Sequence, residues 1–311
     1  MNITMKKILF CIALSLILLT ACSATANKDV NTKNNTIINE ANTSTETVHN
    51  DTVYNVPIIM YHNVKAQRVG EYCVNPEEFE GDLVFLKERG FTVVTVSELI
   101  RFVNGGFEMP DKPIVLTFDD GRYNNYTQAF PLLKKYNCKA SFFIIGSFCE
   151  KYCGGRRQYE QSSYLSFADI KEMAGSGLCD IQSHSYDLHD WTKGRTGVNK
   201  KKDEALDEYR KVLEDDLNKN QELLKKNCGI APNAFAYPFG AYNPDAEKII
   251  SDMGFSAILT TGEGINEIRR GDKDALLRLK RFNRPHGVSC AAFLEQKIAS
   301  AILIPARASL A

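Results

Sequence analysis

Two adjacent carboxylates follow an apolar run in this 311-residue chain: Ile114-Val115-Leu116-Thr117-Phe118 leads directly into Asp119-Asp120-Gly121. Paired carboxylates at the end of a buried strand are costly unless they are solvated or bind a cation. Neighbouring side chains on a strand point to opposite sides, so the pair can divide labour, one Asp facing a metal and the other a water. The same residues would also serve as a polar turn or a helix cap. A second cluster is Ser183-His184-Ser185-Tyr186-Asp187-Leu188-His189, again after an apolar run. The chain has only five histidines, and two of them stand here, five residues apart. In a loop both imidazoles can converge on one ion, and with one Asp they form a His₂Asp set that leaves coordination positions open. A lone histidine is more often a surface or hydrogen-bonded core residue; a pair beside an Asp pair is less so.

The elements that must carry these clusters follow a repeating register from residue 56 onward. Short apolar runs predict strands at Val56–Tyr61, Phe91–Val96, Ile114–Phe118, Ala140–Ile145, Asp180–Ser183, Ala234–Tyr237, Phe255–Leu259 and Leu276–Arg281. Between them, amphipathic patterns predict helices at Pro76–Arg89, Val96–Asn104, Tyr126–Tyr136, Phe167–Ala174, Lys202–Lys226 and Pro244–Met253. Seven or eight βα units in about 255 residues fit an α/β fold of the (β/α) barrel type better than two domains. A doubly wound open sheet is the rival, weakened by the lack of a GxGxxG turn after the first strand. In a barrel, functional residues belong just after the strand C-termini, where both clusters fall.

Ahead of that register, Lys6 and Lys7 precede an apolar stretch, Ile8 to Leu19, too short for an ordinary membrane span. The ending Leu19-Thr20-Ala21-Cys22 resembles a bacterial lipoprotein signal, which predicts lipid on Cys22 and a domain order of 1–22 signal, 23–52 tether and 53–311 folded domain. Residues 23–52 are rich in Asn, Thr and Ser and too poor in apolar residues to fold. The charges balance, 38 Lys and Arg against 38 Asp and Glu, which argues against a nucleic-acid partner. Seven cysteines follow Cys22 and none forms a CxxC pair, so a thiolate zinc site is not expected. Cys149 and Cys153 are spaced for a local bridge, although spacing alone does not set the geometry.

Thr117-Phe118-Asp119-Asp120-Gly121, Ser183-His184-Ser185 and Tyr237-Pro238-Phe239-Gly240 resemble, in order, three motifs of the polysaccharide deacetylases, the NodB-homology proteins of carbohydrate esterase family 4. The resemblance covers most of residues 56–285 and implies a distorted (β/α)7–8 barrel. It implies metal-dependent removal of acetyl groups from N-acetylated sugars. Asp120, His184 and His189 would then hold one divalent metal, zinc foremost, with cobalt, nickel or manganese as alternatives. Asp119 would be the general base, and the backbone N–H of Phe239, after Tyr237 and Pro238, would meet the oxyanion.

Three departures sharpen this reading. The second histidine is His189, because position 188 is Leu, whereas most of the family has it four residues after the first. That spacing resembles the branch acting on poly-β-1,6-N-acetylglucosamine, the biofilm polymer. Where the third motif usually has Arg two residues before Pro, this chain has Ala236, so Arg281 or Arg284 must supply the group that orients the base. The late Leu-x-His element is unclear around His286, and His62, after the first strand, is expected as the general acid; a hydrogen-bonded rim histidine is its plainer alternative. Among nearby aromatics, Tyr186 and Tyr237 are the expected sugar contacts. The leading expectation is thus a lipid-anchored, extracytoplasmic N-deacetylase whose partners are a polysaccharide and, through Cys22, the membrane. Peptidoglycan or chitooligosaccharide is the alternative substrate, and a non-catalytic glycan-binding lipoprotein the alternative class.

Overall fold

The computed structural model describes residues 52–67, 69–152 and 163–303. The signal with Cys22, the tether up to residue 51 and Cys153 with its possible bridge lie outside them. The strands are β1 (Tyr54–Val56), β2 (Ile58–Tyr61), β3 (Asn63–Val64), β4 (Cys73–Val74), β5 (Thr92–Val94), β6 (Pro113–Phe118), β7 (Ala140–Ile144), β8 (Cys179–Ser183), β9 (Ala234–Ala236), β10 (Ala257–Leu259), β11 (Asn266–Ile268) and β12 (Phe282–Asn283). The helices are α1 (Pro76–Glu88), α2 (Val96–Val103), α3 (Phe130–Tyr136), α4 (Gly146–Tyr152), α5 (Phe167–Gly175), α6 (Leu206–Cys228), α7 (Pro244–Asp252) and α8 (Cys290–Leu303).

All strands of the main sheet run parallel, in the order β10-β9-β8-β7-β6-β2-β12, with β5 beside the start of β6. The sheet curls, and one chain segment joins its two ends. Leu279 bridges to Leu259 of β10, and three residues later Phe282 pairs with Ile59 of β2. This is the distorted (β/α) barrel expected above. The last predicted strand, Leu276–Arg281, is displaced: Asp274–Leu276 forms a 3-10 turn, and regular pairing begins only at Phe282. The first predicted strand breaks at Pro57, which has no N–H to donate. Before it, β1 pairs antiparallel with β11; after it, β2 enters the barrel.

Side-chain alternation sorts the core. Ile114, Leu116 and Phe118 of β6 pack in one cluster with residues of α1, α3 and α5, while Val115 joins a second with Val94, Phe143, Ala236 and Leu259. Tyr209, Leu213 and Leu217 of α6 pack with Phe235, Ile249 and Ile258 in a third. Helix starts are set by capping boxes, Asn75 with Glu78, Thr95 with Glu98 and Ser166 with Asp169. The predicted helix 126–136 begins instead with a π turn, Asn125–Ala129, ahead of α3. The turn lies next to the site, as π bulges often do.

A buried ion pair fastens β12 to α1. Arg284 donates through Nε and Nη2 to Asp82 at 2.9 and 3.1 Å, and Tyr61 donates its hydroxyl to the same carboxylate at 2.8 Å. Both charged side chains are fully buried. Truncating one partner strands the other's charge. Arg284→Met is therefore expected to lower unfolding free energy by about 3–5 kcal/mol in denaturant titrations.

Candidate active site

The β6 strand delivers Asp119 and Asp120 to the C-terminal mouth of the barrel, and β8 delivers His184. Asp120 adopts φ 73°, a left-handed conformation costly for a residue with a Cβ. Its Oδ2 accepts from Nε and Nη2 of Arg122 at 3.1 and 3.0 Å. The other oxygen, Oδ1, lies 3.8 Å from Nε2 of His184 and 3.4 Å from Nε2 of His189. These three donor atoms all lie within 4.8 Å of one another. Ligands about 2.1 Å from a tetrahedral ion stand about 3.4 Å apart, so the spacing fits one divalent cation.

The protonation states also fit. Nδ1 of His184 is 2.8 Å from the Ala236 carbonyl, which needs a donor there and leaves the Nε2 lone pair facing Asp120. Burial pulls both imidazoles down, His189 to about 4, so both are neutral and able to ligate near pH 7.

The loop between the histidines is held from below by α6. Asp216 accepts the backbone N–H groups of Tyr186 and Asp187 at 2.7 and 2.8 Å. One turn later, Asn220 donates to the Ile144 carbonyl at 3.2 Å and to Ser183 Oγ at 2.9 Å. The N–H groups of Gly146 and Ser147, at the start of α4, reach the Ser185 and Tyr186 carbonyls at 3.2 and 2.9 Å. Ser185 takes φ 72° under these constraints.

Arg281 and Arg284 have separate fates. Arg281 forms a two-pronged pair with Asp119, Nη1 to Oδ1 and Nη2 to Oδ2, both at 2.8 Å, while its Nε donates to the Thr260 carbonyl at 2.8 Å. Arg284 serves Asp82 instead. Burial raises the Asp119 carboxyl, but the Arg281 guanidinium outweighs it, holding the group well below the usual carboxylate range. The guanidinium that pairs with Asp119 thus comes from the barrel-closing segment.

His62 follows β2, its ring edge-on to Tyr72 at 4.9 Å between centroids and its carbonyl held by Asn125 Nδ2 at 2.8 Å. Among the described residues its buried Nδ1 has no hydrogen-bond partner. Burial lowers its pKa, with Asp119 and Asp120 opposing. His286 goes elsewhere: its Nδ1 lies 2.7 Å from Glu78 at the start of α1.

The expected sugar contacts Tyr186 and Tyr237 do not present open faces. Tyr237 is 1% exposed, its ring wedged between Phe235 and Tyr242. Tyr186 bonds Glu150, and Lys219 covers its ring at 3.7 Å. Pro238 is buried, whereas Phe239 is 39% exposed and adopts φ 58°. Gly240 tolerates no Cβ, which would lie 2.0 Å from Thr261 Oγ1.

Arg122, Asp216, Asn220 and Asn125 support the site and were not singled out from sequence. The one available signal was Asn220, a polar residue in the buried stripe of Tyr209, Leu213, Leu217 and Leu224.

Residues 107–258 match the polysaccharide deacetylase family. The chain is 30% identical over 198 residues to a poly-β-1,6-N-acetyl-D-glucosamine N-deacetylase of Staphylococcus epidermidis, covering 64% of each chain. A Staphylococcus aureus protein of the same name is 28% identical over 195 residues, 63% of each. The chain therefore spans somewhat under two thirds of the length of these relatives. Among solved structures, IcaB from Ammonifex degensii superposes with a TM-score of 0.64 at 29% identity, covering 81% of this chain and 98% of that one.

Two measurements check the site. Asp120→Ala and His189→Ala should each weaken divalent-metal binding more than ~100-fold in competition titrations, since even outer-shell changes cost 10–100-fold. Burial holds Asp216 at about 6, against the two N–H donors that pull it down. A carboxyl raised on folding contributes stability that is full below its unfolded value of 3.8 and lost as pH rises through about 6. Against Asp216→Asn, the native chain should thus lose on the order of 2 kcal/mol between pH 4 and 7 in paired denaturation curves.

Proposed function

We propose that this chain, whose residues 107–258 match the polysaccharide deacetylase family, hydrolyses the N-acetyl groups of an extracellular N-acetylglucosamine polymer, foremost poly-β-1,6-N-acetylglucosamine. One observation carries the reading: a carboxylate locked by a two-pronged arginine stands beside an Asp-His-His set spaced for a single cation. A polar binding module has no use for a base with its orientation fixed. The names of the two staphylococcal relatives support the substrate, as do the His184–His189 spacing and the histidine after the first strand.

A divalent metal held by Asp120, His184 and His189, zinc in this proposal, would polarise the acetyl carbonyl and acidify water. Asp119 does the proton work on the attacking side. Arg281 prevents its carboxylate from rotating and keeps it ionised, so it accepts a proton as the water oxygen bonds to the carbonyl carbon. The backbone N–H of Phe239 donates to the oxyanion, its direction set by the left-handed conformation of that residue. His62 gives a proton to the amide nitrogen as the C–N bond breaks, releasing acetate and a free amine. Its lowered pKa makes the protonated ring a stronger acid, at the cost of a smaller protonated fraction at neutral pH. Arg122 fixes Asp120 and takes no proton.

The proposal extends to location. Cys22 carries lipid, the residues up to 52 act as a tether, and the enzyme works outside the cytoplasm on a near-neutral polymer. Among the described residues no helix is long and apolar enough to cross a membrane.

Acetate release measured side by side on β-1,6-linked and β-1,4-linked N-acetylglucosamine oligomers and on peptidoglycan tests the reading, with the β-1,6 oligomer expected to react fastest. Asp119→Asn should lower kcat roughly 10²–10⁴-fold while metal content is unchanged. Acetate release at the native rate by that variant would refute the assignment of the base.

A further inference from the structure

Two adjacent asparagines, Asn124 and Asn125, stand just after the paired aspartates, and both are buried, at 2% and 0% exposure. A buried side-chain amide is costly unless its polar ends are used. Asn124 uses both on the residues that follow His62: its Oδ1 accepts the Val64 N–H and its Nδ2 donates to Asn63 Oδ1, each at 2.9 Å. Asn125 reaches His62 itself, donating through Nδ2 to the carbonyl at 2.8 Å. On the other side of His62, the Tyr61 carbonyl accepts the Asp119 N–H at 3.0 Å. Every residue from Tyr61 to Val64 is thus tied to the stretch from Asp119 to Asn125.

That stretch is stiff where it makes these bonds. The Asn125 N–H donates to the Arg122 carbonyl at 3.0 Å, and the Asn125 carbonyl accepts from the Phe130 N–H, which closes the π turn. The His62 ring, by contrast, has little of its own to fix it. Its Nδ1 has no hydrogen-bond partner among the described residues, and Tyr72 meets it only edge-on. A histidine that transfers protons is ordinarily oriented by a group on its second nitrogen. Without one among these residues, the ring takes its place from its backbone. Asn125 holds that backbone.

We propose that Asn125 is the positioning residue for His62, keeping the proposed acid in register with the proposed base Asp119 and the proposed ligand Asp120 on one stretch of chain. The inference rests on the deacetylase reading and deepens it. In that reading water adds to the acetyl carbon, the C–N bond breaks, and a proton from His62 goes to the leaving nitrogen as acetate and a free amine separate. An amine leaves poorly without that proton, and a misplacement of about 1 Å costs up to about 100-fold. A phenolate is far less basic than an amide nitrogen anion and leaves unprotonated. Loss of Asn125 therefore weighs on amide cleavage and much less on cleavage of an aryl ester at the same site.

The test uses the full chain with zinc bound and two substrates, the β-1,6-linked N-acetylglucosamine pentamer and para-nitrophenyl acetate. Asn125→Ala should lower kcat for the pentamer about 10–100-fold with KM little changed, and its effect on the ester should be at least ~tenfold smaller. Zinc content per chain should match that of the native protein. In a His62→Ala background, adding Asn125→Ala should cost about threefold or less, because the residue acts through a ring already removed. Asn125→Asp, which keeps the shape but offers the His62 carbonyl no N–H, should repeat the pattern and takes over where the alanine variant does not fold. Equal losses on amide and ester overturn the inference, as does an unchanged pentamer rate or an undiminished loss in the His62→Ala background. A native chain that hydrolyses the ester but frees no acetate from any N-acetylglucosamine oligomer overturns the deacetylase reading, and the inference with it.

Discussion

The pairing of Arg281 with Asp119 joins barrel closure to chemistry. Arg281 belongs to the segment that hydrogen-bonds β10 at Leu279 and β2 at Phe282, so the residue that pairs with Asp119 rides on the piece of chain that shuts the barrel. Its guanidinium is fully buried and anchored on the β10 side by the Thr260 carbonyl, on the β6 side by Asp119. A fully buried guanidinium without a carboxylate would be strongly destabilising, as would the carboxylate without the guanidinium. Each charge therefore requires the other. A carboxylate kept ionised in this way can accept a proton in the proposed reaction.

Local strain marks the same places. Of the five non-glycine residues with positive φ among the described residues, Asp120, Ser185 and Phe239 fall one in each of the three sequence motifs. Such conformations cost about 1–3 kcal/mol each and persist only where surroundings enforce them. Here the enforcing groups are identifiable. Arg122 grips Asp120, α6 and the first turn of α4 grip the loop around Ser185, and Gly240 fits against Thr261 only because it lacks a Cβ. The motifs are short because each specifies a strained turn, and the supporting residues are scattered because any packed neighbour can do the restraining.

That division explains what could be read from sequence. Strands buried on both faces are continuous apolar runs, so the order of units and the barrel were legible, as were Asp119, Asp120, His184 and His189 at strand ends. Arg281 and Arg284 were not separable, because three residues apart on an irregular segment they carry no periodicity to assign a face. Structure sends one to Asp119 and the other to Asp82. His286 shares their neighbourhood in sequence but completes the start of α1. The displacement of the last strand has the same origin, since Leu279 makes a single bridge rather than a run of alternating pairs. Aromatic residues were misjudged for a different reason: proximity in sequence to a motif says nothing about exposure, and Tyr237 faces the core.

Charge completes the picture. Asp119 and Asp120 bring two negative charges to the mouth, Arg281 and Arg122 bring two positive ones, and burial keeps His184 and His189 neutral. These protein groups therefore sum to zero in a site with little water to screen them. In the proposed reaction an oxyanion forming there would meet no surplus of carboxylate charge. Had either arginine been absent, its Asp would have been pushed toward protonation by burial, losing the proposed base in one case and a proposed ligand in the other. The two arginines thus let adjacent buried carboxylates remain ionised together, which neighbouring aspartates in a barrel mouth could not otherwise do.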